Sequence, residues 1–200
     1  MATANPQPHP RLRQFRMILW ALVAVAAVGA TALFVFAPPR GPGAGAAFSV
    51  VDQSGAPLDQ SMLTGHPSLM FFGYTHCPDV CPTTMADLSL WFEDLGADAD
   101  DLKAYFVSVD PERDTPEVLG DYVGWLNGRV TGVTGDPDEI EKLVKAWGVF
   151  HEKVGEGDDY LVNHTASVFL VNPDGSFEGT IAYGENRDVA VNKIRKLLAG

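Results

Sequence analysis

Cysteine is nearly absent from this chain of 200 residues: there are two, Cys77 and Cys81. Two thiols allow one disulfide or half of a metal site, so a metal centre would have to recruit ligands from elsewhere. Basic residues are also scarce over most of the length. Four Arg and no acid lie in the first forty residues, and beyond residue 40 ten Lys and Arg face all 26 Asp and Glu. Such a domain repels phosphate backbones, which argues against nucleic acid as a partner. It does not hinder the approach of a metal cation. Internal repeats are lacking as well.

Charge is missing altogether from Met17 to Phe36. As a helix this stretch would be roughly 30 Å long, about the thickness of a bilayer's hydrocarbon core. It has no polar face, which argues against a buried helix of a soluble protein. Arg11, Arg13 and Arg16 precede it and only Arg40 follows closely. The positive-inside rule then puts the N-terminus in the cytoplasm and everything after Pro38 on the far side. A cleaved signal peptide is the competing reading, because Ala44-Gly45-Ala46 resembles a small-residue cleavage site. Signal-peptide apolar cores usually run about 7–15 residues, so the longer run here favours a retained single-pass anchor. The expected organisation is a cytoplasmic tail (1–16), a transmembrane helix (17–36), a Pro- and Gly-rich linker (37–47) and a folded domain (48–200). The tail lacks the Ser-rich, Arg-rich character of a transit peptide, which points to a bacterial inner membrane with the domain in the periplasm.

Within the domain, Phe48–Asp52 reads as a strand closed by a turn at Gly55, and Ser68–Phe72 as a buried central strand. Pro82 suits a first helical position with Cys81 as cap, and Met85, Leu88, Phe92 and Leu95 follow as an inward stripe. Lys103–Val109 is the next strand, parallel to the last by the crossover rule. Thr115-Pro116 opens a helix with Val118, Leu119, Tyr122, Val123 and Leu126 inward. Asp136-Pro137 opens another, with Ile140, Leu143, Val144 and Trp147 at helical spacing. Residues 155–159 form an acidic loop. Ser167–Val171 and Phe177–Ile181 flank the turn signal Asn172-Pro-Asp-Gly175, and Asp188 caps a final helix. The pattern predicts an α/β sandwich of the thioredoxin-like class.

The chemistry centres on Phe71-Phe-Gly-Tyr-Thr-His-Cys-Pro-Asp-Val-Cys-Pro82. A Cys at a helix start feels the positive end of the helix dipole, which favours its thiolate, the form needed for redox exchange and for soft metals alike. Redox proteins of this fold usually carry Cys-x-x-Cys. The Cys-x-x-x-Cys spacing here permits a disulfide and fits a chelate at least as well, while inert buried thiols are the plain alternative. Five His compete to be a third ligand. His9 lies on the wrong side of the membrane, and His66 sits in a Gly-His-Pro turn as a solvated loop residue. His76 adjoins Cys77, but neighbouring side chains of an extended loop point apart. His151, after Trp147-Gly, reads as structural. His164 precedes the strand Ser167–Val171, where this fold brings a loop beside the dithiol, and is modestly favoured. That loop carries no Pro where redox relatives hold one in cis.

Three motifs together are specific: the Cys stretch, Ser108-Val-Asp-Pro-Glu-Arg-Asp-Thr-Pro-Glu117, and His164-Thr-Ala-Ser-Val-Phe-Leu-Val-Asn-Pro-Asp-Gly175. In this order and spacing they resemble the Sco/SenC family of membrane-anchored copper proteins, over about Phe48 to Leu198. Asn163 and Thr165 stand where Asp and Ser are more usual. The resemblance implies one copper, Cu(I) or Cu(II), held by Cys77, Cys81 and His164. It also implies a role in assembling the binuclear CuA centre of cytochrome c oxidase subunit II, with other periplasmic copper chaperones as further partners. Two thiolates and an imidazole are a soft, three-coordinate set suited to Cu(I), and Cu(II) takes a further oxygen. Asp79 is a candidate for that oxygen, although a solvated turn carboxylate is the plainer reading. Zn(II) also accepts a Cys₂His set with an open position. The loop Asp110–Pro116 is a candidate to organise the site or contact the partner, but Arg113 between Asp110 and Asp114 reads rather as a local salt bridge and turn. Trp91, Trp125 and Trp147 are read as packing residues. A thiol–disulfide reductase acting on the oxidase's copper-ligand cysteines is the alternative function, and a peroxidase the least supported.

Overall fold

The apolar runs and turn signals resolve into helices and strands in the computed structural model, which describes residues 10–35, 43 and 46–200. The tail before Pro10, His9 within it, most of the linker and two of the three residues of Ala44-Gly45-Ala46 lie outside the described residues. The chain divides into two units, Met1–Arg40 and Gly41–Gly200. In the first, α1 (Pro10–Val35) carries a segment, Arg13–Ala32, long and apolar enough to cross a membrane. It starts before Met17 because the intervening Leu, Arg, Gln and Phe are compatible with a helix and Pro10 occupies its first position.

The second unit is built on a seven-stranded sheet. Its strands are β1 (Ser49–Asp52), β2 (Pro57–Asp59), β3 (Ser68–Gly73), β4 (Lys103–Ser108), β5 (Thr131–Thr134), β8 (Val168–Val171) and β9 (Phe177–Ile181), in the order β2-β1-β5-β4-β3-β8-β9. The central trio β3, β4 and β5 is parallel, and β1, β8 and β9 join antiparallel. Every residue of β3 is buried, as its unbroken apolar run requires. Adjacent strand residues face opposite ways, so consecutive rings serve the two faces. Phe71 packs on Phe106, which packs on Tyr122, while Phe72 meets Phe169, whose ring meets Trp147. Tyr122 lies on α3 (Pro116–Gly124) and Trp147 ends α4 (Pro137–Ala146), so helical segments cover both faces. The remaining helices, α2 (Val80–Leu95) and α5 (Arg187–Ala199), lie against each other. This is the thioredoxin-like sandwich expected from the pattern.

Several local expectations change. α2 begins at Val80, with Asp79 in the cap position, so Cys81 lies inside the first turn rather than before it. The amide of Thr83 donates to the Asp79 carbonyl, which closes that turn two residues ahead of Pro82. The Asp79 side chain makes no capping bond. Val118 is exposed; Leu119, Val123 and Leu126 carry the buried face of the Thr115-capped segment. The final helix is capped by Asn186, whose side chain accepts from the amides of Asp188 and Val189, and Asp188 falls within the first turn. The structure adds a hairpin: β6 (His151–Val154) pairs antiparallel with β7 (Leu161–His164), the acidic residues 155–159 lying in its loop.

Candidate metal centre

The strand β3 ends at Gly73, and the chain turns tightly there instead of running on extended. The amide of Cys77 donates to the Tyr74 carbonyl at 3.2 Å, closing a turn over Thr75 and His76. Cys77 emerges half-buried from it, and four residues later Cys81 is fully buried in the first turn of α2. The amide of Cys81 points at the Cys77 sulfur, 3.4 Å away. Gly73 makes room for this: a Cβ there would sit 2.8 Å from the Cys81 sulfur and 2.9 Å from the Phe106 ring.

His164 arrives from the other side, at the end of β7. Its Nε2 lies 3.4 Å from the Cys81 sulfur. The ligand atoms of Cys77, Cys81 and His164 all lie within 4.8 Å of one another. The Nδ1–H of His164 donates to the Thr165 carbonyl at 3.0 Å, an acceptor that cannot donate in return, so Nε2 is the bare nitrogen facing the sulfurs. Phe71 and Tyr74 meet the imidazole edge-on and fix its plane. Burial pushes the His164 pKa down, so the ring is held neutral.

Burial also decides the state of Cys81. Desolvation, with smaller contributions from the neighbouring Cys77 and Asp114, pushes its pKa far up despite a hydrogen bond from the Tyr74 backbone. The expectation that a helix start would favour its thiolate is therefore overturned for Cys81. The dipole acts within one turn, but taking a sulfur anion out of water costs more. In the metal-free protein the Cys81 thiol faces the bare His164 nitrogen, and a metal would take that proton's place.

A polar chain supports both halves of the site. Asp114 is fully buried and accepts from the Thr75 hydroxyl (2.6 Å), the Thr75 amide (3.1 Å) and the Ser108 hydroxyl (2.6 Å). Desolvation raises its pKa against these three donors. The Ser108 oxygen in turn accepts from the Asp110 amide. Asp110 takes the Arg113 Nε–H at 2.5 Å and the Tyr160 hydroxyl at 2.6 Å. Burial and that carboxylate push the Tyr160 phenol up to about 12. Arg113 and Lys153 both lie 3.6 Å from the centre of the Tyr160 ring, and Arg113 also donates to the Asp158 carbonyl. Among the described residues Arg113 is thus ion-paired with Asp110 and not with Asp114, and it reaches across to the hairpin that carries His164.

The other described candidates fall outside this three-residue cluster. His66 is tied through Nδ1 to the Ser68 hydroxyl and is only partly exposed. His151 stands directly opposite His164 in the hairpin, but its Nε2 is taken by Glu141 at 2.7 Å. His76 and Asp79 are exposed and do not belong to the three-residue cluster. Trp91 and Trp147 are buried, and Trp125 is half exposed. Sequence reasoning offers Asp114 only as a partner for Arg113 and does not reach Tyr160. The available signal was the short alternating run Leu161-Val-Asn-His164 after a Gly-containing acidic loop, which is a hairpin pattern.

Two sulfurs and one imidazole nitrogen with a free lone pair fit a soft metal ion that accepts few ligands. Comparison with known proteins agrees with this chemistry. The mitochondrial protein SCO2 of Saccharomyces cerevisiae is 33% identical over 157 residues, 76% of this chain and 52% of that protein. The match spans about half the length of such relatives. Among solved structures, ScoI of Bradyrhizobium japonicum with copper bound superposes with a TM-score of 0.70 at 38% identity, covering 76% of this chain and 97% of that one. BsSco, described with a disulfide switch and as a member of the Sco family of cytochrome c oxidase assembly proteins, gives 0.61 at 27% identity, covering 76% and 91%. The family model SCO1/SenC matches residues 37–199. On that match, and on the fold and sequence likeness to Sco structures, the chain belongs to the SCO1/SenC family.

Proposed function

We propose that this protein is a membrane-anchored copper metallochaperone that binds copper through Cys77, Cys81 and His164 and assists assembly of the CuA centre of cytochrome c oxidase subunit II. The observation that carries this is the three-donor cluster with its ligand atoms within 4.8 Å and one sulfur only half-buried. Copper is the cargo. A set of three donors leaves room for an incoming Cys or His, so the metal passes on by ligand exchange. Cu(I) suits two thiolates and an imidazole, and Cu(II) would add an oxygen ligand. α1 is read as a single-pass anchor in a bacterial inner membrane that places the domain in the periplasm, where subunit II and other copper chaperones are its partners.

The test is His164→Ala with both cysteines kept, measuring copper binding and oxidase CuA content together. Loss of both is expected. Unchanged copper binding removes His164 from the ligand set. Lost binding with normal CuA content removes the chaperone role. Zn(II) retained in preference to copper would overturn the choice of metal.

A thiol–disulfide reductase acting on the subunit II cysteines is the second reading, favoured by two free thiols whose sulfurs lie within 4.8 Å of each other and by the disulfide switch described for BsSco. It uses Cys77 and Cys81 without His164, so the same variant separates the two.

A further inference from the structure

Resting on the copper reading, we infer that His76 is a transit ligand: its Nε2 takes hold of copper on the way to and from the Cys77–Cys81–His164 set. The observation is a second imidazole prepared in the same way as His164. The Thr75 hydroxyl donates its hydrogen bond to the Asp114 carboxylate at 2.6 Å. Its oxygen is then free only to accept, and the His76 Nδ1 lies 3.1 Å from it. In the neutral ring the proton therefore sits on Nδ1, and Nε2 is the bare nitrogen. Asp114 is fully buried and is further held by the Ser108 hydroxyl and the Thr75 amide, so the anchor of this relay is fixed.

Placement supplies the rest. Cys81 is fully buried, and Cys77 and His164 are half-buried, whereas His76 is exposed and immediately precedes Cys77 in the turn closed onto Tyr74. A copper ion arriving on a partner's ligands meets the His76–Cys77 end of the site before it reaches Cys81. His151 does not offer the same service, because its Nε2 is occupied by Glu141. The step is a substitution without redox change. The Nε2 lone pair forms a bond to copper as a bond to the outgoing ligand breaks, and no proton leaves the nitrogen because none is there. The ion then moves to the resident donors, the Cys81 thiol giving up its proton to water as its sulfur bonds the metal, and the imidazole is released.

The test uses the full chain in detergent with reduced thiols, presented with Cu(I) as its bicinchoninate complex. Stopped-flow absorbance follows loading, and excess chelator follows removal. A ligand used only in transit lowers the barrier in both directions and leaves the end points alone. His76→Ala and His76→Gln are therefore expected to slow loading and removal by the same factor, about ten-fold, with the equilibrium partition of copper unchanged. His66→Ala should load at the wild-type rate. Wild-type rates in both His76 variants would overturn the inference, and so would a loss of equilibrium affinity, which would make His76 a resident ligand or a structural one. Failure of the wild-type chain to take copper from the chelator would instead overturn the copper reading itself.

Discussion

Gly73→Ala probes how closely the sheet is packed under the dithiol. The added methyl carbon would meet the Cys81 sulfur at 2.8 Å and two Phe106 ring atoms at 2.9 and 3.1 Å. Ordinary non-bonded contacts between heavy atoms lie at about 3.5–4.0 Å, so sulfur or ring must retreat by roughly 0.7 Å. Neither has slack: Cys81 sits in the first turn of α2, and both residues are fully buried. Overpacking of this kind costs about 1–3 kcal/mol. The lower entropy of the unfolded Ala variant returns about 0.4–1 kcal/mol, leaving a net loss of roughly 1–2 kcal/mol. For a domain of this size that is a fall in Tm of about 2–8 °C. The measurement is thermal unfolding of the reduced, metal-free chain followed by near-ultraviolet circular dichroism, with Gly179→Ala beside it. Gly179 has nothing within 4 Å of its would-be Cβ, so that variant should melt at or above wild type. Moving one of three donors should also weaken copper binding by about ten-fold. A Gly73→Ala chain that melts with the wild type and binds copper equally well would refute the close packing of Gly73, Cys81 and Phe106.

Two further predictions concern the supporting groups and pH. Asp114→Ala strands the Ser108 hydroxyl and two Thr75 donors, and at 1–3 kcal/mol for each buried unsatisfied group it should cost roughly 3 kcal/mol or more in chemical denaturation. A loss below about 1 kcal/mol would mean that water replaces the carboxylate. Copper affinity should rise with pH by at least about one decade per unit across the neutral range, because burial holds Cys81 protonated and binding must displace that proton. A pH-independent affinity would contradict this. The metal-free fold should also weaken in acid. The His164 pKa is lowered from 6.5, so the unfolded chain takes the proton first. Its contribution is constant above 6.5 and is lost as pH falls below that value, until the folded ring also titrates. A His164→Phe variant with an unaltered slope in that window would refute it.

Local pattern was enough for much of the scaffold. The buried run of β3 and the Pro-led helix starts at Thr115 and Asp136 are set by neighbours in sequence. So are the Asn172–Gly175 turn and the apolar Met17–Phe36 stretch, because burial, capping and turn chemistry act over a few residues. The motif set carried the choice of Cys77, Cys81 and His164, which spacing alone left open. Three things were decided only in three dimensions. The turn onto Tyr74 and the early start of α2 put Cys81 inside a buried helical turn. Desolvation there reverses the sign of the shift expected from the helix dipole, and burial is a property of the packed whole. The β6–β7 hairpin brings His164 to the sulfurs, pinned by Asp110, Arg113 and Tyr160, contacts that span some fifty residues of chain. Asp114 turned inward to Thr75 rather than outward to Arg113, because a buried carboxylate goes where its donors are. The sequence supplied the donor atoms; the fold determined which are buried, which nitrogen is bare and which side of the site is open.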